Sequence, residues 1–343
     1  MNSTLLHRLR RLLCSLQDTI RDTLVVAQGR PRDFTKVALV TKADTIYAVD
    51  QISEQAILGW FDEHWPAAWP VELVMEGIEG DEPLTFPHGT PIGLTRWKCI
   101  LDPIDGTRGY MYDKRSAWSL GAIAPQHGHQ TNLADIVVAA MTELPTRKQW
   151  RADQFSVVRG AGRAGVVGTA CDVRSLARPS LRRPRPHRRI HVRPSTAKNF
   201  HHGFASLARY FPDGKAFIAQ FEEKLWRALH GTANPSPLVF DDQYISTGGQ
   251  LAEILAGHDR LVGDIRPMVY ARLHLNMALS CHLYDICTTL IAREAGVIVE
   301  APDGDELRAP LDTTTPISWV AYANPILARL ARPVFRRLID ECL

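Results

Sequence analysis

LDPIDGTRGY, residues 101–110, sets Asp102 and Asp105 three positions apart, with a proline between them and Gly-Thr directly after. Two carboxylates held this close repel one another unless something positive sits between them. Mg²⁺ is a hard cation that takes carboxylate oxygens and keeps several waters, so the pair reads as a candidate metal site. Pro103 fixes the local chain direction and leaves the Ile104 carbonyl as a further oxygen donor. Gly106 admits a close backbone approach, and the amides of Gly106 and Thr107 can form a nest for a phosphate. A surface Asp-Pro turn followed by Asp-Gly would spell the same letters, so the rest of the chain has to decide.

The chain is 343 residues long, 45% hydrophobic and 22% charged, with a formal net charge of +3. That describes a globular chain with room for one large domain or for two halves with separate cores. The charge is too small to argue for nucleic-acid binding. Cysteines 14, 99, 171, 281, 287 and 342 form no Cys-x-x-Cys or Cys/His metal spacing, which points to free thiols in a reducing compartment. Leu5, Leu9, Leu12, Leu13, Leu16, Ile20 and Leu24 recur at helical spacing with Arg8, Arg10, Arg11 and Arg21 between them. This is an amphipathic helix that docks on a core rather than a secretory signal. No uncharged apolar run approaches the roughly 18 residues that a membrane span requires. A cytoplasmic protein without a membrane partner is expected.

Beyond that helix, residues 48–62 carry a second one, with Val49, Ile52, Ala56, Ile57 and Trp60 on one side. Apolar runs predict strands at Val71–Met75, Cys99–Leu101, Ala117–Ala124, Ile136–Met141 and Phe155–Val158. Further on, helices are expected at 196–210, 215–230, 246–257, 283–295 and 325–340. Short strands fall at Arg260–Gly263, Val297–Val299 and Ile317–Tyr322. The class is therefore mixed, α+β or α/β, with helices packed on sheets in two subdomains, residues 1–172 and 196–343. Between them, residues 173–195 hold eight arginines and four prolines. The prolines forbid a regular helix there. The arginines fit either an anion-binding arm or a solvated linker or exposed edge whose charges oppose aggregation.

Four further stretches give the opening motif its company. LYDICTTLIAREAG (283–296) is an aromatic-Asp pair opening a helix that ends in Glu-Ala-Gly. TKADTIYAVDQISEQAI sets Asp44 and Asp50 six apart at a helix start. VELVMEG ends a strand on Glu76, and STGGQLAEILAGHDRLVGD (246–264) is a Gly/Ser-rich helix start followed by a strand. Together with LDPIDGT, and in their order along the chain, they resemble the inositol monophosphatase superfamily of metal-dependent, lithium-sensitive phosphatases. Tyr284 stands where that family usually has tryptophan, and Tyr47 where it has threonine. The elements span residues 36–323.

The resemblance implies a layered αβαβα sandwich with its active site in the cleft between subdomains. It implies Mg²⁺-dependent hydrolysis of a small phosphorylated metabolite by a homodimer. By position, Glu76, Asp102, the Ile104 carbonyl, Asp105 and Asp285 would ligate two or three Mg²⁺ ions. Asp50 and Thr107 would orient and deprotonate the attacking water, and Gly106 and Thr107 would hold the phosphate. Glu79 and Glu82 also precede the signature; Glu76 is preferred because it directly ends the Val71–Met75 strand. Many relatives carry two consecutive glutamates there, whereas this chain has Glu76-Gly77.

For the substrate, the family glutamate seven residues before the aromatic-Asp aspartate, which holds sugar hydroxyls, is replaced by Ala278. GTRGYMYDKR resembles the branch that acts on adenosine 3′,5′-bisphosphate, where Arg108, Lys114 and Arg115 would hold a second phosphate; surface solvation is their other reading. Inositol monophosphate and fructose 1,6-bisphosphate are the remaining candidates. His201, His202 and His282 read as ordinary surface or core histidines. A reading from another class is a polyanion-binding protein that uses the arginine-rich arm and keeps only a vestigial phosphatase site.

Overall fold

The computed structural model describes residues 2–28, 37–40, 45–77, 83–177, 188–231 and 238–343. The first helix, Ser3–Gln28, buries Leu6, Leu9, Leu13, Leu16, Ile20 and Leu24 along one stripe and lies beside the helix Ala48–His64. Both cover one face of an eight-stranded sheet. Across that sheet the strands run Arg188–Ile190, Val167–Asp172, Arg151–Val158, Val138–Leu144, Ala117–Pro125, Trp97–Asp105, Val71–Met75 and Leu84–Phe86. Gln17 and Arg21 are the polar residues buried on this helix, and Arg21 pairs with Asp18 and Asp22 while Gln17 turns to the sheet. Its amide donates to the carbonyls of Ser119 and Ala140 and accepts from the Thr142 hydroxyl, so it is satisfied where water cannot reach.

On the other face sit the helix Thr247–Ala256 and the short helices Leu283–Ile286 and Thr289–Glu294. A five-stranded sheet follows, ordered Val239–Phe240, Gly203–Leu207, Asp259–Asp264, Trp319–Tyr322 and Ile298–Glu300. Helices Lys215–His230 and Pro325–Cys342 close the far side. The result is the expected αβαβα sandwich, with one hydrophobic core filling the space between the two sheets and a second lying under the first two helices. Among the described residues, no helix is long and apolar enough to cross a membrane. All six cysteines are free.

Two features of the first sheet prepare the site. The strands Val71–Met75 and Trp97–Asp105 are parallel, with Met75 opposite Leu101, so Glu76 and Asp102 leave the sheet side by side. In the neighbouring antiparallel ladder, Asp102 faces Leu120 and Asp105 faces Trp118. Three steps on one strand therefore match two on the other, which is a bulge of one residue. In a regular strand, positions i and i+3 point to opposite faces. The extra residue re-aims the second carboxylate so that both aspartates can serve one site.

Several expectations are corrected. Residues 196–210 form no helix; Gly203–Leu207 is a central strand, paired in parallel with both Val239–Phe240 and Asp259–Asp264. The alanine and leucine content there favours a helix, but sheet pairing overrides so weak a preference. The span 283–295 breaks into two short helices, and the helix Arg266–Leu273 and the strand Val167–Asp172 had no clear pattern in the sequence. Within the arginine-rich segment, Arg188–Ile190 is the edge strand of the large sheet, with Arg188 and Arg189 exposed. Charge on an edge strand discourages pairing with other chains, which fits the exposed-edge reading of that segment. Arg182, Arg183 and Arg185 lie outside the described residues.

Candidate metal centre

Asp102, Asp105 and Asp285 each present an oxygen within 4.8 Å of the others. They are the only group of three or more metal-capable side chains among the described residues. His201, His202 and His282 are therefore not part of one; His201 instead shares a 2.9 Å contact with His230. Asp102 and Asp105 come from the bulged end of the Trp97–Asp105 strand. Asp285 comes from the far half of the chain, where it caps its own short helix by accepting the His282 N–H at 2.6 Å. Asp102 and Asp105 are buried, and Asp285 is half-buried, which leaves an approach from solvent.

The electrostatics of this cluster are unbalanced. Burial, and then the charges of Glu76, Asp105 and Asp285, push the Asp102 carboxyl well above the usual carboxylate range. Burial pushes Asp105 up to about 6, against the pull of hydrogen bonds from Gly248, Ser246 and Thr247 and of the Arg266 charge. Asp285 is raised by burial, by Asp105 and by Glu76, with the His282 N–H and Arg266 opposing. Glu76 thus bears on both Asp102 and Asp285, as its position beside the signature strand requires; its N–H donates to the Leu101 carbonyl at 3.3 Å. Glu79 and Glu82 lie outside the described residues. Buried like charges of this kind are relieved by taking up a proton or by a cation between them. Oxygen-only donors suit Mg²⁺ rather than a softer metal, so the residues fit the ion.

The turn after Asp105 is built around glycine. Gly106 has φ +96°, and a Cβ there would lie 2.8 Å from the Ile245 carbonyl oxygen. This lets the signature turn press against the chain just ahead of Ser246. Thr107 opens the short helix Thr107–Met111, and its hydroxyl donates to the Ile104 carbonyl at 2.7 Å. Substituting alanine at Gly106 combines a left-handed backbone penalty with a backbone clash. It is expected to destabilise the fold by about 2–4 kcal/mol. Chemical denaturation measures this, and a loss below half a kcal/mol (~0.5) would show that the turn relaxes freely.

Three further groups stand at the site. Ser246 and Gly248 belong to the Gly/Ser-rich helix start, and the Ser246 hydroxyl and the Gly248 N–H both donate to Asp105 Oδ2, at 2.8 and 2.5 Å. The helix N-terminus thereby favours the charged form of Asp105. The third is Arg266, buried beside the cluster and held by Asp264 through its Nε at 2.9 and 3.0 Å and its terminal nitrogen at 2.5 Å. Its other terminal nitrogen donates to the Leu279 carbonyl at 2.8 Å, and the guanidinium lies over the Tyr210 and Phe211 rings. Asp264 ends a strand and Arg266 opens a helix, an Asp-x-Arg spacing that could have flagged the pair.

The remaining predicted residues have contacts of their own. Asp50 sits in the first turn of Ala48–His64, where its Oδ2 accepts the Tyr47 N–H at 2.7 Å. Arg108 lies over the Phe211 ring, 5.8 Å from its centroid. Lys114 is exposed. Arg115 pairs with Asp242 at 3.0 Å and covers the Tyr244 ring at 4.1 Å.

No family model and no curated protein matches the sequence. Solved structures do match over nearly the whole chain. The extragenic suppressor protein SuhB from Bartonella henselae aligns with a TM-score of 0.62 at 15% identity, covering 98% of this chain and 100% of its own. The fructose-1,6-bisphosphatase of Leishmania major gives 0.65 at 14% identity, covering 95% and 93%. The inositol monophosphatase from Anabaena gives 0.57 at 13% identity, covering 99% and 98%. The fold is the one shared by the inositol monophosphatase and fructose-1,6-bisphosphatase structures.

Proposed function

We propose that this protein is a Mg²⁺-dependent phosphomonoesterase acting on a small phosphorylated metabolite. The observation that carries the reading is the convergence of Asp102 and Asp105 with Asp285, from distant parts of the chain, into a largely buried cluster of carboxylate oxygens. The names of the similar structures, inositol monophosphatase and fructose-1,6-bisphosphatase, agree with it. Glu76, Asp102, the Ile104 carbonyl, Asp105 and Asp285 would hold the cation, in a cleft between the halves 1–172 and 196–343.

Bound there, a divalent cation would neutralise a dianionic phosphate ester, acidify a water and stabilise the departing alkoxide. The chain's own groups supply position and proton traffic. The Gly106 and Thr107 amides, at the start of a helical turn, would cradle phosphate oxygens. Thr107 Oγ1 and the Asp50 carboxylate orient the water, with Asp50 taking its proton. A protein nucleophile is not needed. Burial pushes up the thiols of Cys281 and Cys287, both of which feel the Asp285 charge, so neither offers a thiolate at neutral pH.

The test is phosphate release from metal-stripped protein with Mg²⁺ restored. The substrate panel is inositol monophosphates, adenosine 3′,5′-bisphosphate, fructose 1,6-bisphosphate and NADP. At least one ester should be hydrolysed only when Mg²⁺ is present, and excess Ca²⁺ should inhibit, because calcium prefers more ligands at longer distances. Full turnover in chelator would refute the assignment.

A further inference from the structure

Asp105 receives its two donors from residues 246–248, and those residues are themselves held in place by a tyrosine. Tyr244 is 6% exposed, and its hydroxyl is fully used. It donates to the Ser116 carbonyl at 3.0 Å and lies 2.8 Å from Ser116 Oγ and 3.2 Å from Trp118 Nε1. With its one proton on the Ser116 carbonyl, the phenol oxygen has two lone pairs left for the serine hydroxyl and the indole N–H. Burial pushes its pKa up to about 12, so it stays neutral.

The ring is fixed as firmly as the hydroxyl. Arg115 lies over it while forked onto Asp242, with Arg115 nitrogens 3.3 and 3.0 Å from the two carboxylate oxygens. On the helix side, a Cβ at Gly249 would lie 2.4 Å from the ring, and one at Gly248 would lie 2.5 Å from Leu120. Only glycines let the start of the Thr247–Ala256 helix sit between Tyr244 and the first sheet. The Ser246 N–H also donates to the Tyr244 carbonyl at 2.9 Å. Residues 115–118, at the start of the Ala117–Pro125 strand and just ahead of it, therefore grip residue 244, and residue 244 sets where Ser246 and Gly248 stand over Asp105.

We propose that Tyr244 is a positioning residue for the metal centre: by tying the Ser246–Gly248 turn to Ser116 and Trp118, it fixes the Asp105 carboxylate in the orientation that binds the cation. This rests on reading the carboxylate cluster as a metal centre. It also gives Arg115 its place, as the brace on the tyrosine ring.

The test reads Mn²⁺ binding directly, from the loss of the free-ion electron paramagnetic resonance signal on titrating metal-stripped protein. Tyr244→Phe keeps the ring and removes the three hydroxyl contacts. It is expected to weaken Mn²⁺ binding by roughly tenfold or more, the usual loss when a group that orients a metal ligand is removed. Val25→Ala, in a small separate core with Ala152 and Val173, controls for a general loss of stability and should bind like the parent. In an Asp105→Asn background, where the oriented carboxylate is already gone, Tyr244→Phe should add less than about a twofold change. Parent-like binding by Tyr244→Phe, equal weakening by Val25→Ala, or full additivity with Asp105→Asn would each overturn the positioning role. If the parent itself binds no Mn²⁺, the metal-centre reading falls first and takes this inference with it. Turnover does not enter the readout, so the two failures are told apart.

Discussion

Replacing Asp105 with asparagine is expected to lower Mg²⁺-dependent phosphate release by at least about a hundredfold, since a metal contributes several kcal/mol to stabilising the transition state. The same substitution should leave the metal-free protein as stable as the parent or more so. Burial holds the folded-state pKa of Asp105 at about 6, above the ordinary carboxylate value. The native state therefore binds this proton more tightly than the unfolded chain does. The stability linked to that proton is complete below the unfolded pKa, roughly pH 4, and is lost as pH rises through about 6. Compared with Asp105→Asn, the metal-free parent should lose stability between about pH 4 and about pH 7, by at most about 3 kcal/mol. Thermal unfolding in chelator at the two pH values reads the difference. Parallel pH dependences would remove the electrostatic argument, and a variant with most of its activity would place the site elsewhere.

Arg266→Met is expected to be the most damaging single change away from the carboxylates themselves. Asp264 is 1% exposed, and Arg266 supplies the charge that offsets it. Removing the guanidinium leaves a buried, uncompensated carboxylate, at a cost of about 3–5 kcal/mol. It also takes away the positive charge that favours ionised Asp105 and Asp285, so the Mg²⁺ concentration needed for half-maximal activity should rise. Neutralising both partners, as Asp264→Asn with Arg266→Met, should recover most of the stability, because the unpaired charge is then gone. It should not recover the metal requirement. Denaturant unfolding and Mg²⁺ titration of the single and double variants separate the two effects. If the double variant is no more stable than the single, the loss is one of packing rather than of charge.

The parts of the site that could be read from the sequence are those whose chemistry is local. Asp-Pro-x-Asp-Gly-Thr carries its two carboxylates, its carbonyl oxygen and its left-handed glycine within six consecutive residues, and the fold brings both carboxylates together with Asp285. Asp285 was legible for a similar reason, since it caps the helix it opens. Glu76 could be ranked above Glu79 and Glu82 only by its place at a strand end. What brings it beside Asp102 is the parallel register of two strands, which no local pattern records.

The less legible features all depend on partners far along the chain. The donors on Asp105 come from residues more than a hundred positions away, and the grip of Ser116 on Tyr244 is of the same kind. Arg115 reads as a candidate for holding a second phosphate through the resemblance of GTRGYMYDKR; its partner Asp242 becomes visible only when the two halves pack. The strand Gly203–Leu207 was read as a helix because the pairing that decides it is non-local. The same holds for the edge strand Arg188–Ile190, hidden in a stretch whose arginines and prolines suggest a linker.

The central claim is that Asp102, Asp105 and Asp285 together hold a divalent cation. The most direct test is anomalous diffraction from crystals soaked in Mn²⁺, collected near the manganese edge. An ion among those three carboxylates, its anomalous peak reduced in crystals of Asp105→Asn, is the predicted result. Manganese bound only elsewhere, or none at the cluster when it is saturating in solution, would contradict it.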